Sequence, residues 1–231
     1  MQGKQGVGKD IIFDFFIDRV LGAGSQNNPI DGTGYRTAKP SEDVFGKHAT
    51  AQQNKVFILV DEIHGDEMNP LMNKWKDHIT GKTVNINPKN KPEYTVGNMC
   101  NFIFTTNDMN PLRLDSEERR FVVFGCTEFR QGNTEYFKGL KTHLRRDDVA
   151  RPFLQYLRRV DVGKFLPFEV HRPQTEAYLA MQRRSIPLFC KFLSYAATRR
   201  LRTPNGEAGV KIKVKEFFDD FTEWAVPETT M

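Results

Sequence analysis

Val56-Phe57-Ile58-Leu59-Val60-Asp61-Glu62 decides how this chain is expected to fold. Five apolar residues in a row, most of them β-branched or aromatic, suit a strand covered on both faces, as in a parallel sheet. Two acids follow at its C-terminal end, where open α/β sheets gather their ligands. Downstream, Asn101-Phe102-Ile103-Phe104-Thr105-Thr106-Asn107 repeats the pattern and closes on an amide. Phe121-Val122-Val123-Phe124 is a third hydrophobic strand candidate. An α/β fold with a mainly parallel sheet follows.

Upstream, Gly3-Lys4-Gln5-Gly6-Val7-Gly8-Lys9-Asp10 has the spacing G-x-x-x-x-G-K, the loop that cradles phosphates. Its glycines let successive backbone N–H groups turn inward around an anion, and the lysine reaches the β and γ oxygens. Ile12, Phe13, Phe16, Ile17, Val20 and Leu21 then recur at helical spacing, so a helix N-terminus adds its dipole to the site. The alternative is a Gly-rich turn before a helix. The acids weigh against it. In a phosphate-loop ATPase one carboxylate at a strand end holds Mg²⁺ and a neighbouring glutamate polarises the attacking water. Asp61 takes the first role and Glu62 the second. Asn107 is placed to contact the γ-phosphate or orient that water. Arg119-Arg120 could supply an arginine finger to a neighbouring subunit, or could simply pair with Glu117 and Glu118.

Composition sets the bounds. The 231 residues carry 39% hydrophobic residues and 19 Phe, enough for one packed domain with an appendage. A net charge of +5 and a pI near 9.1 permit a nucleic-acid partner without requiring one. Cys100, Cys126 and Cys190 are widely spaced with no C-x-x-C, which suits buried thiols in a reducing compartment and argues against zinc. No apolar run reaches the ~18 residues of a membrane span. A cytoplasmic protein is expected.

The remaining segments place the motifs. Gly22 to Pro40 is expected to be a surface loop, Ser41 to Gly46 a helical turn and Asn69 to His78 a short amphipathic helix. Thr83 to Asn87 and Tyr94 to Val96 alternate around Pro-Lys-Asn-Lys-Pro, a β-hairpin with a basic tip. Lys89 and Lys91 there, with Lys82 at its base, are candidate contacts to a nucleic-acid backbone; a solvated lysine turn is the plainer alternative. Helices are expected over Glu135 to Val149, Pro152 to Val160, Gln174 to Arg184 and Ile186 to Leu201, the last pair broken at Pro187. Phe165 to Pro173 is a connector. Arg183-Arg184, Arg199-Arg200 and Arg202 make this end basic. Lys211 to Val214 alternates as a short strand or helix lead-in, and Lys215 to Trp224 is an amphipathic helix.

The order of loop, hydrophobic-Asp-Glu, Lys-bearing hairpin, strand-Thr-Thr-Asn and Arg-Arg before a strand resembles the superfamily three helicases, ATPases of viral, phage and plasmid replication proteins. Ile79-Thr80-Gly81, and Asn107 followed by Pro111 and Arg119-Arg120, resemble in particular the poxvirus- and phage-type primase–helicases. The resemblance covers about residues 3 to 125. It implies an AAA+-like P-loop three-layer sandwich, a hexameric ring, ATP with Mg²⁺, and 3′-to-5′ movement on single-stranded DNA. It divides the chain into an ATPase core at 1–130, a helical region at 131–209 and the opening of a winged-helix-like module at 210–231. Gly3, Gly6, Gly8, Lys9 and Asp10 are then the nucleotide-binding set.

Two departures stand out. Asp10 replaces the hydroxyl residue that binds Mg²⁺ in this loop; as a carboxylate it can ligate the metal itself, but it brings negative charge beside the phosphates. At an effective dielectric near 20, two like charges ~4 Å apart cost roughly 4 kcal/mol before a metal compensates. Only Met1 and Gln2 precede Gly3, whereas this loop normally leaves a central parallel strand. The expectation is a fragment of a longer protein; the alternatives are a strand donated by a partner chain and a defective gene remnant. Beside the helicase reading stand a non-hydrolysing nucleic-acid-binding remnant and, last, a small-molecule phosphotransferase.

Overall fold

The computed structural model describes residues 1–21, 33–165, 173–199 and 214–229. Helix α1 (Lys9–Asp14) runs straight into a π-helical turn, Phe15–Val20, closed by the Leu21 N–H donating to the Phe16 carbonyl at 2.9 Å. Strands β1 (Gly34–Thr37), β2 (Phe57–Val60) and β5 (Asn101–Phe104) form a parallel sheet in the order β1-β2-β5. Ile58, Leu59 and Val60 of β2 are fully buried, as the unbroken apolar run requires of a central strand. Between them lie α2 (Pro40–Asp43), α3 (Gly65–Met68) and α4 (Met72–Thr80), and then the antiparallel hairpin β3 (Thr83–Ile86) and β4 (Tyr94–Gly97).

Met1 to Gly3 lie on the far side of β5. Gln2 bridges Thr106 on one flank and Gly125 on the other, parallel to both. These residues therefore lie between β5 and Gly125, with the Gly3–Lys9 loop leaving them.

The core is built around Trp75 of α4, whose ring meets Phe45, Phe102 and Phe104 edge-on at centroid distances of 4.6, 5.2 and 4.8 Å. Tyr178 and Met181 of α7 (Glu176–Ser185) close it from the other side, and the Tyr178 hydroxyl donates to the Glu118 carbonyl at 2.6 Å. A second cluster joins Phe15 and Val20 to Ala150 and Phe153 of α6 (Asp147–Arg159). The chain divides into two compact units, Met1–Met181 and Gln182–Met231. In the second, α8 (Leu188–Arg199) and α9 (Val214–Thr229) bring together the rings of Phe192, Phe217, Phe221 and Trp224.

Four expectations change. Within the expected loop of Gly22 to Pro40, Gly34 to Thr37 form β1, because their backbone pairs with β2 in register from Gly34 opposite Phe57 to Thr37 opposite Val60. The helices expected over Glu135 to Val149 and Pro152 to Val160 are instead α5 (Thr134–Leu144) and α6. The break falls at Arg146, whose extended ψ of 139° stops α5's continuation; Pro152 sits inside α6. Phe121 to Phe124 form no ladder among the described residues; Gly125, just beyond them, bridges Gln2. The connector at 166–172, the strand or helix lead-in at 211–213, and Arg200 and Arg202 fall outside the described residues.

Candidate functional site

Gly6 and Gly8 hold φ of +79° and +84°, the left-handed region that glycine enters without strain. Gly8 also lies under the Phe137 ring of α5, 2.4 Å from where a Cβ would stand. Lys9 opens α1 and is buried. Its ammonium turns into the loop, donating to the Gly3 and Lys4 carbonyls at 2.9 and 3.1 Å and to Asn107 Oδ1 at 2.6 Å. Residues 98 apart in sequence thus meet because Gly3 and Thr106 are ladder neighbours, the Gly3 N–H donating to the Thr106 carbonyl at 3.1 Å. The loop's outer side is tied down by Lys4–Glu128 at 3.0 Å and by Gln131 donating to the Gln5 carbonyl at 2.9 Å.

The acidic pair is knotted by Thr105. Its hydroxyl donates to Asp61 Oδ1 at 3.2 Å and accepts from the Glu62 N–H at 3.3 Å, while its carbonyl accepts from the Ile63 N–H at 2.9 Å. Glu62 takes φ of +51°, a left-handed conformation unfavourable to glutamate, and its side chain is exposed. Backbone strain of this kind is held where surrounding bonds over-determine it. Here the Thr105 contacts do so.

Arg36, from β1, was hidden in the segment expected to be a loop. Its Nε lies 3.3 Å from Asp61 Oδ2, and its guanidinium also pairs with Asp14. Burial pushes the Asp61 carboxyl above the ordinary carboxylate range; Arg36 pulls it back, Asp10 pushes it up, the Thr105 hydroxyl lowers it and Asp14 raises it. Asp10, on the first turn of α1, therefore shares an electrostatic neighbourhood with Asp61.

Among the described residues no three His, Cys, Asp or Glu side chains are grouped to hold a metal by themselves. A Mg²⁺ that takes one or two carboxylates and completes its octahedron with water and substrate phosphates asks less; Asp10 and Asp61 are the carboxylates that could serve it, with Asp61 Oδ1 and Oδ2 engaged by Thr105 and Arg36.

The other candidates lie apart from this cluster. Arg119 is exposed. Arg120 is engaged within the chain, its guanidinium 3.6 Å from Glu118, a buried carboxylate that also meets Lys76 at 3.1 Å. Lys89 and Lys91 are exposed at the hairpin tip, with Asn90 between them at φ +61°; Lys82 is exposed at its base. Asn98 fixes that base, donating to the His78 and Gly81 carbonyls at 2.7 and 3.0 Å.

Residues 1–120 match the family described as a family of unknown function, DUF5906. The chain belongs to that family. It is also 29% identical, over 169 residues, to the DNA primase-polymerase of Nitratiruptor phage NrS-1, a match spanning 70% of this chain and 21% of the relative. Two apo structures of the NrS-1 C-terminal region share its fold. One, covering 305–718, has a TM-score of 0.64 at 22% identity, and the other, an A form, 0.61 at 20%. Each match covers 100% of this chain and 49% of the other, so the chain spans about half the length of those solved relatives.

Proposed function

We propose that this chain is the nucleoside-triphosphate-hydrolysing module of a phage replication protein, an AAA+-like ATPase of the superfamily three helicase type that moves on single-stranded DNA. The observation that carries the reading is the 2.6 Å contact between Lys9 and Asn107, which joins a phosphate-type loop to a polar strand end beside the acidic pair. The similarity to a phage primase-polymerase supports the replication setting, in the cytoplasm of a host cell. Among the described residues no helix is long and apolar enough to cross a membrane.

In this reading ATP and water give ADP and phosphate. Lys9 exchanges its loop carbonyls for the β and γ oxygens, and the N–H groups of Gly6 to Lys9 complete the cradle. Asp61 and Asp10 would hold Mg²⁺, which would supply charge neutralisation when bound. Glu62, exposed beside them, accepts a proton from the attacking water, and the Asn107 amide donates to the γ-phosphate. Arg119 serves a neighbouring subunit of a hexameric ring, with Arg120 held by Glu118. Lys82, Lys89 and Lys91 meet the DNA backbone.

The test is ATP turnover with and without single-stranded DNA, for wild type and Lys9→Ala. Turnover that DNA stimulates and Lys9→Ala abolishes supports the reading. Salt-dependent DNA binding with no turnover, unaffected by Lys9→Ala, overturns it in favour of a non-hydrolysing DNA-binding module. The Arg36–Asp61 pair is the observation on that side, because a guanidinium already neutralises the carboxylate a metal needs.

A further inference from the structure

The phosphate loop has two flanks, and they differ in kind. Gln2 bridges Thr106 on one side and Gly125 on the other. The Thr106 flank carries the polar groups beside the loop: Asn107 meets Lys9, and Asp61 is bound through Thr105. The Gly125 flank continues into residues 126–137, which supply none of the groups assigned to phosphate or metal.

Three contacts fasten that second segment to the loop. Lys4 pairs with Glu128 at 3.0 Å, the Gln131 side chain donates to the Gln5 carbonyl at 2.9 Å, and the Phe137 ring covers Gly8. The segment is also folded on itself. The Gln131 and Asn133 N–H groups donate to the Glu128 and Arg130 carbonyls at 2.9 and 3.0 Å, and the Asn133 side chain caps α5 by accepting from the Tyr136 N–H at 2.9 Å.

An aromatic column stands on this anchored turn. The Arg130 guanidinium lies 4.8 Å from the Phe129 ring centroid and 4.7 Å from that of Tyr136, so one cation serves two rings. Phe129 is nevertheless 82% exposed. Single exposed apolar residues are ordinary. Phe129 differs in having a cation at its ring and a backbone tied to the loop.

A nucleotide whose terminal phosphate is directed to Asn107 and Asp61 carries its ribose and base toward the opposite flank. We propose that the base stacks on the open ring of Phe129, with Arg130 and Tyr136 supporting that ring. The proposal rests on the phosphate-loop reading and does not require hydrolysis. Stacking reads the π-face, which every base has. The polar side chains of the turn are engaged in holding it: Glu128 with Lys4, Gln131 with the Gln5 carbonyl, Asn133 with α5. They leave the base edge unread, so selection is by ring size. The site takes purine over pyrimidine nucleotides and does not separate adenine from guanine.

The test is calorimetric titration of the full chain, and of Phe129→Ala, Phe129→Trp and Lys9→Ala, with ADP, GDP, CDP and inorganic pyrophosphate in the presence of Mg²⁺. Phe129→Ala should weaken ADP and GDP alike by about tenfold and leave pyrophosphate unchanged. Phe129→Trp should restore both, and CDP should bind wild type more weakly than ADP. ADP binding that Phe129→Ala leaves intact overturns the proposal, while pyrophosphate binding lost in Lys9→Ala still upholds the loop. Equal weakening of ADP and pyrophosphate also overturns it, since the change then acts through the loop. Pyrophosphate binding that is absent, or indifferent to Lys9→Ala, removes the loop reading and the base platform together. Equal affinity for CDP and ADP overturns selection by ring size. Loss of single-stranded DNA binding in Phe129→Ala, with ADP unaffected, assigns the ring to DNA instead.

Discussion

The Lys9 ammonium stands 2.6 Å from Asn107 Oδ1, and that contact couples the loop to the end of β5. Asn107 is exposed while Lys9 is buried, so water can replace the amide and the loss is modest. Asn107→Ala should lower stability by about 1 kcal/mol, below the upper range for bonds to charged groups. Its effect on turnover is larger, roughly a hundredfold, if the amide donates to the γ-phosphate. Asn107→Asp separates the two roles: it keeps an acceptor for Lys9 and removes the donor. Chemical denaturation of that variant should match wild type, and its ATPase activity should not. Equal turnover in all three proteins would remove Asn107 from the chemistry.

Gly8 is constrained twice, by φ of +84° and by the Phe137 ring 2.4 Å from where a Cβ would stand. Gly8→Ala should therefore destabilise by more than the ~1–3 kcal/mol of a strained backbone alone. In Gly8→Ala/Phe137→Ala the collision is gone and the strain remains. The double variant should be less destabilised than the sum of its single changes, a coupling read from a denaturant double-mutant cycle. Strict additivity would show that Phe137 does not cover the loop.

Asp61 provides a titration with a definite sign. Its folded carboxyl lies above the ordinary 3.8, chiefly through burial. A raised acid contributes stability that is fully present below the unfolded value and lost as pH rises through the folded one. Carboxyl carbon NMR should therefore place its midpoint above 3.8 in wild type. Asp10→Asn removes a neighbouring negative charge and moves the midpoint down. Arg36→Ala removes the pairing cation and moves it up. A midpoint indifferent to Asp10→Asn would separate Asp10 from the proposed metal site.

The pattern of Val56 to Glu62 was legible because a strand buried on both faces leaves an unbroken apolar run, and Asn107 because its strand ends the same way. Arg36 was not, since β1 is four residues containing glycine and arginine, held by pairing with β2 more than by its own propensity. Phe137 gave no signal, because its contact with Gly8 joins residues far apart in the chain. Thr105 was visible in Thr-Thr-Asn, yet its bonds to Asp61 and Glu62 depend on sheet order. Phe121 to Phe124 had the composition of a strand, but composition cannot supply the neighbour that makes one.

The thiols differ in a way alkylation can read. Cys100 is buried, donates toward the Lys55 carbonyl at 3.1 Å, and burial pushes it up to about 11. Cys190 is exposed. At pH 8 the thiolate fraction of Cys100 falls about two to three orders of magnitude below that of an ordinary cysteine. A maleimide should label Cys190 first and Cys100 only on unfolding, as peptide mass mapping would show. Early labelling of Cys100 would mean that the core around Trp75 opens on the labelling timescale.

Lys89 and Lys91 flank Asn90 at the exposed tip of the hairpin, and Asn98 anchors its base. A contact to backbone phosphate releases counterions, so each lysine that binds single-stranded DNA contributes about 0.7 to the slope of log affinity against log salt. Lys89→Ala/Lys91→Ala should lower that slope by about 1.4, weaken binding uniformly across sequences and leave the melting temperature unchanged. Lys82→Ala, at the base, should have the smaller effect if only the tip enters the groove between strand and protein. Fluorescence anisotropy over a salt series distinguishes the outcomes. An unchanged slope in the double variant would make the tip a solvated turn and place the DNA elsewhere on this chain.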